Sequence, residues 1–208
     1  TAPVSSAIMI HVAGDGNVLK GVHLFVRGSY PYGYGHLLGK SYPALVNHHK
    51  HSSLLVTGRN TTLDGCHVET QAFGHGIVLQ GAENTIIRNC YVKGQMRTTD
   101  EMLAETSGPA YEIGFRSDYP PGVILPGQVK ALSEDGLRAY PDGYNGRKTK
   151  NLTVENTVVE NMRSGFDFSA MCGHVEISGC TAKGCQEKGY SLPDRGVITG
   201  SRGDSMYG

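Results

Sequence analysis

The sequence predicts an all-β fold: a single-stranded right-handed parallel β-helix, with two long loop insertions walling a groove. Three observations predict it. A short unit recurs, as NTTLDGCHV at 60–68, NTIIRNCYV at 84–92, NLTVENTVV at 151–159 and HVEISGCTA at 174–182. VLKGVHL at 18–24 fits the same unit, and VITGS at 197–201 fits it more weakly. Self-similarity at a period of about 20–50 residues marks a solenoid. The second observation is one column of this unit, held by Gly21, Gly65, Asn89, Asn156, Gly179 and Gly200. Glycine and asparagine are the residues that most readily take the left-handed backbone, so each repeat bends sharply there. The third observation is the next column, Val22, Cys66, Cys90, Thr157, Cys180 and Ser201, whose compact side chains suit an inward ladder.

Each repeat also has an upstream strand, at 54–57, 76–80, 136–140, 165–169 and 189–192. Apolar residues alternate along it: Ile77 and Leu79, Leu137 and Ala139, Phe166 and Phe168, Tyr190 and Leu192. A period of two puts these inside. Val78, Gln80, Arg138, Tyr140, Asp167, Ser169 and Ser191 then face out. Three short strands per coil is the arithmetic of a parallel β-helix, and parallel crossovers are right-handed.

In chain order, the first coil runs from the apolar stretch at 8–12 through the Gly14-Asp15-Gly16 turn to Phe25. Residues 26–53 are the first insertion, rich in Gly, Tyr and His and without a period. Tyr30, Tyr32 and Tyr34 read as loop aromatics. His48, His49 and His51 cannot all ligate one ion, because neighbours on a strand point to opposite sides. Two compact coils follow, from Leu54 to Lys93. Residues 94–133 form the second insertion. It opens on a short helix at 98–105 with Thr or Asp at its N-terminus, ended by Gly108-Pro109. A coil starting at Ser133 follows, then a polar loop at 141–150, a strand pair at 151–160, a compact coil at 161–185 and a last coil from Lys188 onward. The whole chain, 1–208, reads as one domain. Arg202-Gly203-Asp204 is an incidental turn, and the Asn60 and Asn151 N-x-Thr contexts belong to the repeat rather than to glycosylation.

Lys and Arg together number 19, as do Asp and Glu. A nucleic-acid partner, which calls for a basic excess, is therefore not expected. No apolar run reaches the ~18 residues of a membrane span. No leader is visible, and Thr1-Ala2-Pro3 reads as a mature or trimmed start. The five cysteines have no zinc-like spacing and read as buried thiols, not as a disulfide framework.

Both insertions leave the coil after its third strand, so stacking gathers them above one edge. The outward face of the upstream strands becomes a groove floor, and a solenoid face lined by loops commonly binds. Lys50, His75, Glu134, Arg138, Tyr140, Arg163 and Asp167 lie on or beside this floor, with Gln80. Arg97 and Lys130 come from the wall. The cationic bias of this set suits a polyanionic chain such as a uronic-acid polysaccharide.

The HKHS segment at 49–52, AFGHG at 72–76, MRTTD at 96–100, SEDGLRAY at 133–140 and NMRSG at 161–165 resemble small right-handed β-helix polysaccharide lyases, alginate lyases in particular. The resemblance covers most of the chain from Lys50 onward. It implies β-elimination beside a uronate carboxylate. That step needs a cation to neutralise the carboxylate, a base for the C5 proton and an acid for the leaving oxygen. Groove geometry assigns the catalytic set to Tyr140, Arg138, Lys130, Lys50 and His75. Tyr140 moves the proton, its pKa lowered by nearby cations, and Arg138 neutralises the carboxylate. Arg97, Gln80, Glu134, Arg163 and Asp167 are assigned to substrate binding. No metal site is expected, no cofactor is required, and calcium is kept only as an optional aid, since the Asp cluster of pectate lyases has no clear match. The expected protein is a secreted or periplasmic monomer with an anionic polysaccharide substrate. Two alternatives stay open: a hydrolase using Glu134, Asp135 and Asp167 as paired carboxylates, and a non-catalytic glycan-binding module.

Overall fold

In a computed structural model, which describes residues 6–27, 50–105, 130–143, 145–168 and 172–205, each coil contributes three strands. The first coil holds β1 (Ser6–Val12), β2 (Val18–Lys20) and β3 (His23–Val26). The second holds β4 (Lys50–Val56), β5 (Thr62–Asp64) and β6 (His67–Thr70). The third holds β7 (Ile77–Gln80), β8 (Glu83–Arg88) and β9 (Tyr91–Lys93), followed by a short helix α1 (Thr99–Glu105). The fourth holds β10 (Asp135–Tyr140), β11 (Lys150–Glu155) and β12 (Val158–Glu160). The fifth holds β13 (Ser164–Asp167), β14 (Val175–Ser178) and β15 (Thr181–Cys185), and the sixth β16 (Lys188–Ser191), β17 (Val197–Thr199) and β18 (Arg202–Ser205). Corresponding strands stack into three parallel sheets of six. The first sheet runs β1-β4-β7-β10-β13-β16, the second β2 through β17, and the third β3 through β18.

The core is a set of columns along the solenoid axis. In the first sheet, Ile10, Leu54, Ile77, Leu137, Phe166 and Tyr190 stand in register. The rings of Phe166 and Tyr190 stack at 4.9 Å. Leu19, Leu63, Ile87, Val154 and Ile177 form the column of the second sheet, which ends at the exposed Ile198. Leu24, Val68, Val92, Val159 and Ala182 form that of the third. Burying each large member stabilises the stack by about 1.5–3 kcal/mol.

The expected bend column is present. Gly21, Gly65, Asn89, Asn156, Gly179 and Gly200 all have φ between 45° and 62°. Beside it, Cys66, Cys90, Thr157 and Cys180 are buried along one interior edge. The Thr157 hydroxyl accepts from the Cys90 N–H at 3.3 Å, and the Ser201 hydroxyl accepts from the Cys180 N–H at 3.1 Å. All five cysteines are free and buried.

A second corner carries an asparagine ladder. Asn60, Asn84 and Asn151 each have positive φ. The Asn151 amide donates to the Asn84 carbonyl oxygen at 3.0 Å, Asn84 to Asn60 at 2.9 Å, and Asn60 to Asp15 Oδ1 at 2.6 Å. The N-leading turn of the repeat is thus an inter-coil hydrogen-bonded stack.

At the third corner the sheets come close together. Gly76, Gly136, Gly165 and Gly189 stand in register at the entrances to β7, β10, β13 and β16. A Cβ on Gly76 would sit 2.3 Å from Val92 Cγ1, and one on Gly136 would sit 2.3 Å from Val159 Cγ1. Only glycine lets the first sheet approach the third this closely.

The insertions leave and return at this same corner, between β3 and β4 and between β9 and β10. The first is shorter at its far end than the sequence suggests, because Lys50 to Ser53 already pair in β4 against β1. Residues 28–49 and 106–129, including Tyr30, Tyr32, Tyr34, His48, His49, Gly108 and Pro109, lie outside the described residues, as does Ser169. Thr98 caps α1: its hydroxyl accepts from the Glu101 N–H at 3.1 Å, and Glu101 Oε2 accepts from the Thr98 N–H at 2.6 Å. This reciprocal pair is a capping box. Among the described residues no helix is long and apolar enough to cross a membrane.

Candidate functional site

The outer face of the first sheet carries a cluster of ionisable side chains centred on His75. The turn before β7 places its ring, which is only 1% exposed. Nε2 lies 3.1 Å from the Tyr140 hydroxyl and 3.3 Å from Glu134 Oε2. Nδ1 lies 3.2 Å from both the Asp135 N–H and Asp135 Oδ2. A carboxylate therefore flanks each ring nitrogen. With Nδ1 protonated toward Asp135, Nε2 is free to accept from the Tyr140 hydroxyl. With Nδ1 accepting the Asp135 N–H, the ring proton sits on Nε2 and faces Tyr140 and Glu134. The ring is thus wired to pass a proton at one end while held at the other.

Arg138 lies on the same side of β10. Its guanidinium pairs with Asp167, its register partner on β13, and its Nε lies 3.7 Å from Asp135 Oδ2. It also covers the Tyr140 ring, 4.9 Å from the centroid. Lys188 Nζ lies 3.1 Å from the same Asp167 oxygen, Oδ2. Arg163 lies 3.5 Å from Glu134 and 3.8 Å from Glu187. Glu134, Asp135, Asp167 and Arg163 are all buried. Charges so enclosed persist only when paired, and here each has its partner.

The pairing fixes protonation. Burial pushes the Asp135 carboxyl up, but the hydrogen bond and charge of His75, with Arg163 and Arg138, outweigh it and hold the group well below the usual carboxylate range. Burial pushes the Tyr140 phenol up. Arg138 opposes this, while Glu134 and Asp135 add to it, and the balance is upward. The expectation that surrounding cations lower Tyr140 is therefore overturned. Local cations are spent on Glu134, Asp135 and Asp167, leaving burial to dominate. The expected cationic bias of the floor fails for the same reason: Arg138, Arg163 and Lys188 face Glu134, Asp135, Asp167 and Glu187.

The structure brings together His75, Glu134, Arg138, Tyr140, Arg163 and Asp167 of the sequence-derived set. Gln80 is the register partner of Tyr140 on the preceding coil. Lys50 opens β4 against Ser6. Arg97 does not meet the solvent from a wall. It is 1% exposed, and its Nε donates to the Lys130 carbonyl at 3.4 Å. It braces the corner where Met96 pairs antiparallel with Ala131. Lys130 sits at that corner too, its N–H donating to the buried Gln186 at 2.7 Å. Glu134, equally buried, holds His75 and Arg163 instead of reaching outward.

The sequence reading weighed Asp135 only as a hydrolase carboxylate and missed Lys188. Strict alternation from Leu137 puts Asp135 on the inner side. In the fold, Asp135 and Arg138, three residues apart, share the outer side. The alternation breaks at Gly136, where the chain turns the tight corner. A glycine at a strand entrance was the available signal.

The family model described as "Right handed beta helix region" matches residues 44–202. No curated protein matches the chain.

Proposed function

The chain belongs to the right-handed β-helix family, and we propose that it is a polysaccharide lyase that cleaves a uronic-acid polysaccharide, alginate first among them, by β-elimination at Tyr140. The observation that carries this reading is the Asp135–His75–Tyr140 chain of contacts ending at a half-buried phenol. A tyrosine with a raised pKa is a poor base alone. His75 changes that. When Nδ1–H faces Asp135, Nε2 takes the phenol proton, and the two flanking carboxylates stabilise the imidazolium. The phenolate then removes the C5 proton, and the C4–C5 double bond forms as the C4–O bond breaks. The same phenol hands that proton to the departing oxygen, and His75 returns the first proton to it. Arg138, stacked on the ring and partly exposed, is the cation closest to the phenol; while it stays paired with Asp167 and Asp135, its further N–H donors meet the uronate carboxylate.

The carboxylates favour this reading over hydrolysis. Inverting and retaining hydrolases both need a carboxylic acid that is protonated at neutral pH. Asp135 is held ionised, and Glu134 and Asp167 are buried against cations. Incubation with alginate, pectate and glycosaminoglycans tests the reading through ultraviolet absorbance of the new double bond. Tyr140→Phe keeps the ring and removes the hydroxyl, so turnover is expected to fall by about 10²-fold or more with little change in substrate affinity. Near wild-type turnover rules out proton transfer at Tyr140. New reducing ends without absorbance indicate hydrolysis, and binding without either product indicates a module.

A further inference from the structure

The outer face of the third sheet, a different sheet from the one that carries the Tyr140 cluster, gathers a different set of residues. β3 and β6 pair with His23 opposite His67 and Phe25 opposite Glu69. Leu24 and Val68 point into the core, so His23, His67 and Glu69 share the outer side. His67 Nε2 lies 3.1 Å from Glu69 Oε1, and His23 Nε2 lies 3.8 Å from the same oxygen. One ligand atom from each residue falls within 4.8 Å of the others. Zinc bonds of about 2.0–2.1 Å in a tetrahedron set ligand atoms about 3.3 Å apart, and the two measured edges bracket that figure.

Three further observations separate this from an ordinary histidine–glutamate pair. His67 Nε2 is shielded from solvent, yet among the described residues it makes no hydrogen bond despite its closeness to Glu69. The nitrogen and the oxygen are thus near each other without pointing at each other, as two donors aimed at a third centre are. The His23 and His67 rings stack at 4.2 Å. Tyr91, next in the same row, packs edge-on against His67 at 4.8 Å, and its hydroxyl donates to Glu160 at 2.8 Å. The His67 ring is therefore packed on both sides.

We propose that His23, His67 and Glu69 form a binding site for a divalent transition metal of the zinc type. Two imidazoles and one carboxylate suit zinc and its neighbours and disfavour calcium and magnesium, which take oxygen ligands. The site joins β3 to β6, so a bound ion ties the first coil to the second. The ligand set leaves a coordination position open to water. It is independent of the lyase reading.

The test is calorimetric titration of zinc into the chelator-stripped full chain. One saturable site per chain is expected, with no comparable response to calcium. His23→Ala and Glu69→Gln are each expected to weaken binding at least tenfold, while His174→Ala, which removes the His174–Glu176 pair on another coil, leaves it unchanged. Because both altered side chains lie on the outer face, circular dichroism is expected to match wild type. Cobalt added to the wild-type protein gives a second reading, through the visible bands of a low-symmetry nitrogen–oxygen site. Absence of saturable zinc binding, an affinity unaffected by His23→Ala and Glu69→Gln, or a cobalt spectrum indistinguishable from the aqueous ion would each overturn the proposal.

Discussion

Replacing Gly136 with alanine tests the glycine corner directly. The added methyl would lie 2.3 Å from Val159 Cγ1, 2.8 Å from Val159 Cγ2 and 2.9 Å from the Gly165 carbonyl oxygen. Carbon atoms at rest are about 3.5–4.0 Å apart, so the first contact is short by about 1.2 Å or more. Val159 is fully buried and has no open space to rotate into. Gly136 is not among the positive-φ residues, so alanine suffers no backbone penalty and gains about 0.4–1 kcal/mol from a stiffer unfolded chain. Overpacking costs about 1–3 kcal/mol, and a contact this short belongs in the upper half of that range, which leaves a net loss of roughly 1–2.6 kcal/mol. Val159→Ala alone removes two carbons and costs about 1.6 kcal/mol in transfer energy, plus a cavity term. In the double variant the new methyl occupies part of that space. The two losses should therefore combine to less than their sum by about 1 kcal/mol or more. Urea unfolding followed by circular dichroism measures all four proteins. Additivity within about 0.5 kcal/mol would refute the steric account, as would a Gly136→Ala protein as stable as wild type.

Asn156→Gly is expected to match wild type closely, while Asn156→Val should cost about 1–2 kcal/mol because a branched side chain resists φ of 45°; equal urea midpoints for the two would count against the bend. The raised pKa of Tyr140 has a signed consequence. The folded protein holds that proton more tightly than the unfolded chain, so the contribution is complete below the ordinary tyrosine value of about 10 and fades as pH rises through the folded value. The stability difference between wild type and Tyr140→Phe should therefore shift against wild type above about pH 10, as read by denaturation at stepped pH. A difference that stays flat across that range would mean the phenol titrates normally.

The solenoid was legible because its determinants are local and repeated. A left-handed bend needs glycine or asparagine wherever it occurs, and Gly21, Asn89 and Gly179 announce it in one column. The inner columns were legible for the same reason: Ile77, Leu137 and Phe166 obey a period of two. The ionisable cluster around His75 was legible in membership but not in wiring. Tyr140, Arg138 and His75 were found from strand parity and turn position. That Arg138 is engaged by Asp167 depends on the stacking of β10 on β13, and its approach to Asp135 depends on the break in alternation at Gly136. Burial of Arg97 depends on how the two ends of the second insertion close on each other. The row of His23 and His67 was visible in the repeat alignment, both following the bend by two residues. It went unread because metal was sought in cysteine spacing and contiguous histidines, not across coils.

The asparagine ladder has a direction. Asn151 gives its N–H to the coil below, and Asn84 and Asn60 each give one downward and take one from the coil above, so each of these two rungs is both plug and socket. Asp15 breaks the rule, since a carboxylate can only accept, and it closes the lower end without leaving a donor idle. Between such rungs a whole coil could be gained or lost in evolution and the remaining plugs would still find sockets. Each such event would change the length of the outer face by about 4.8 Å, the spacing of neighbouring strands. The length of this surface is thus adjustable in discrete increments, by duplication rather than by redesign.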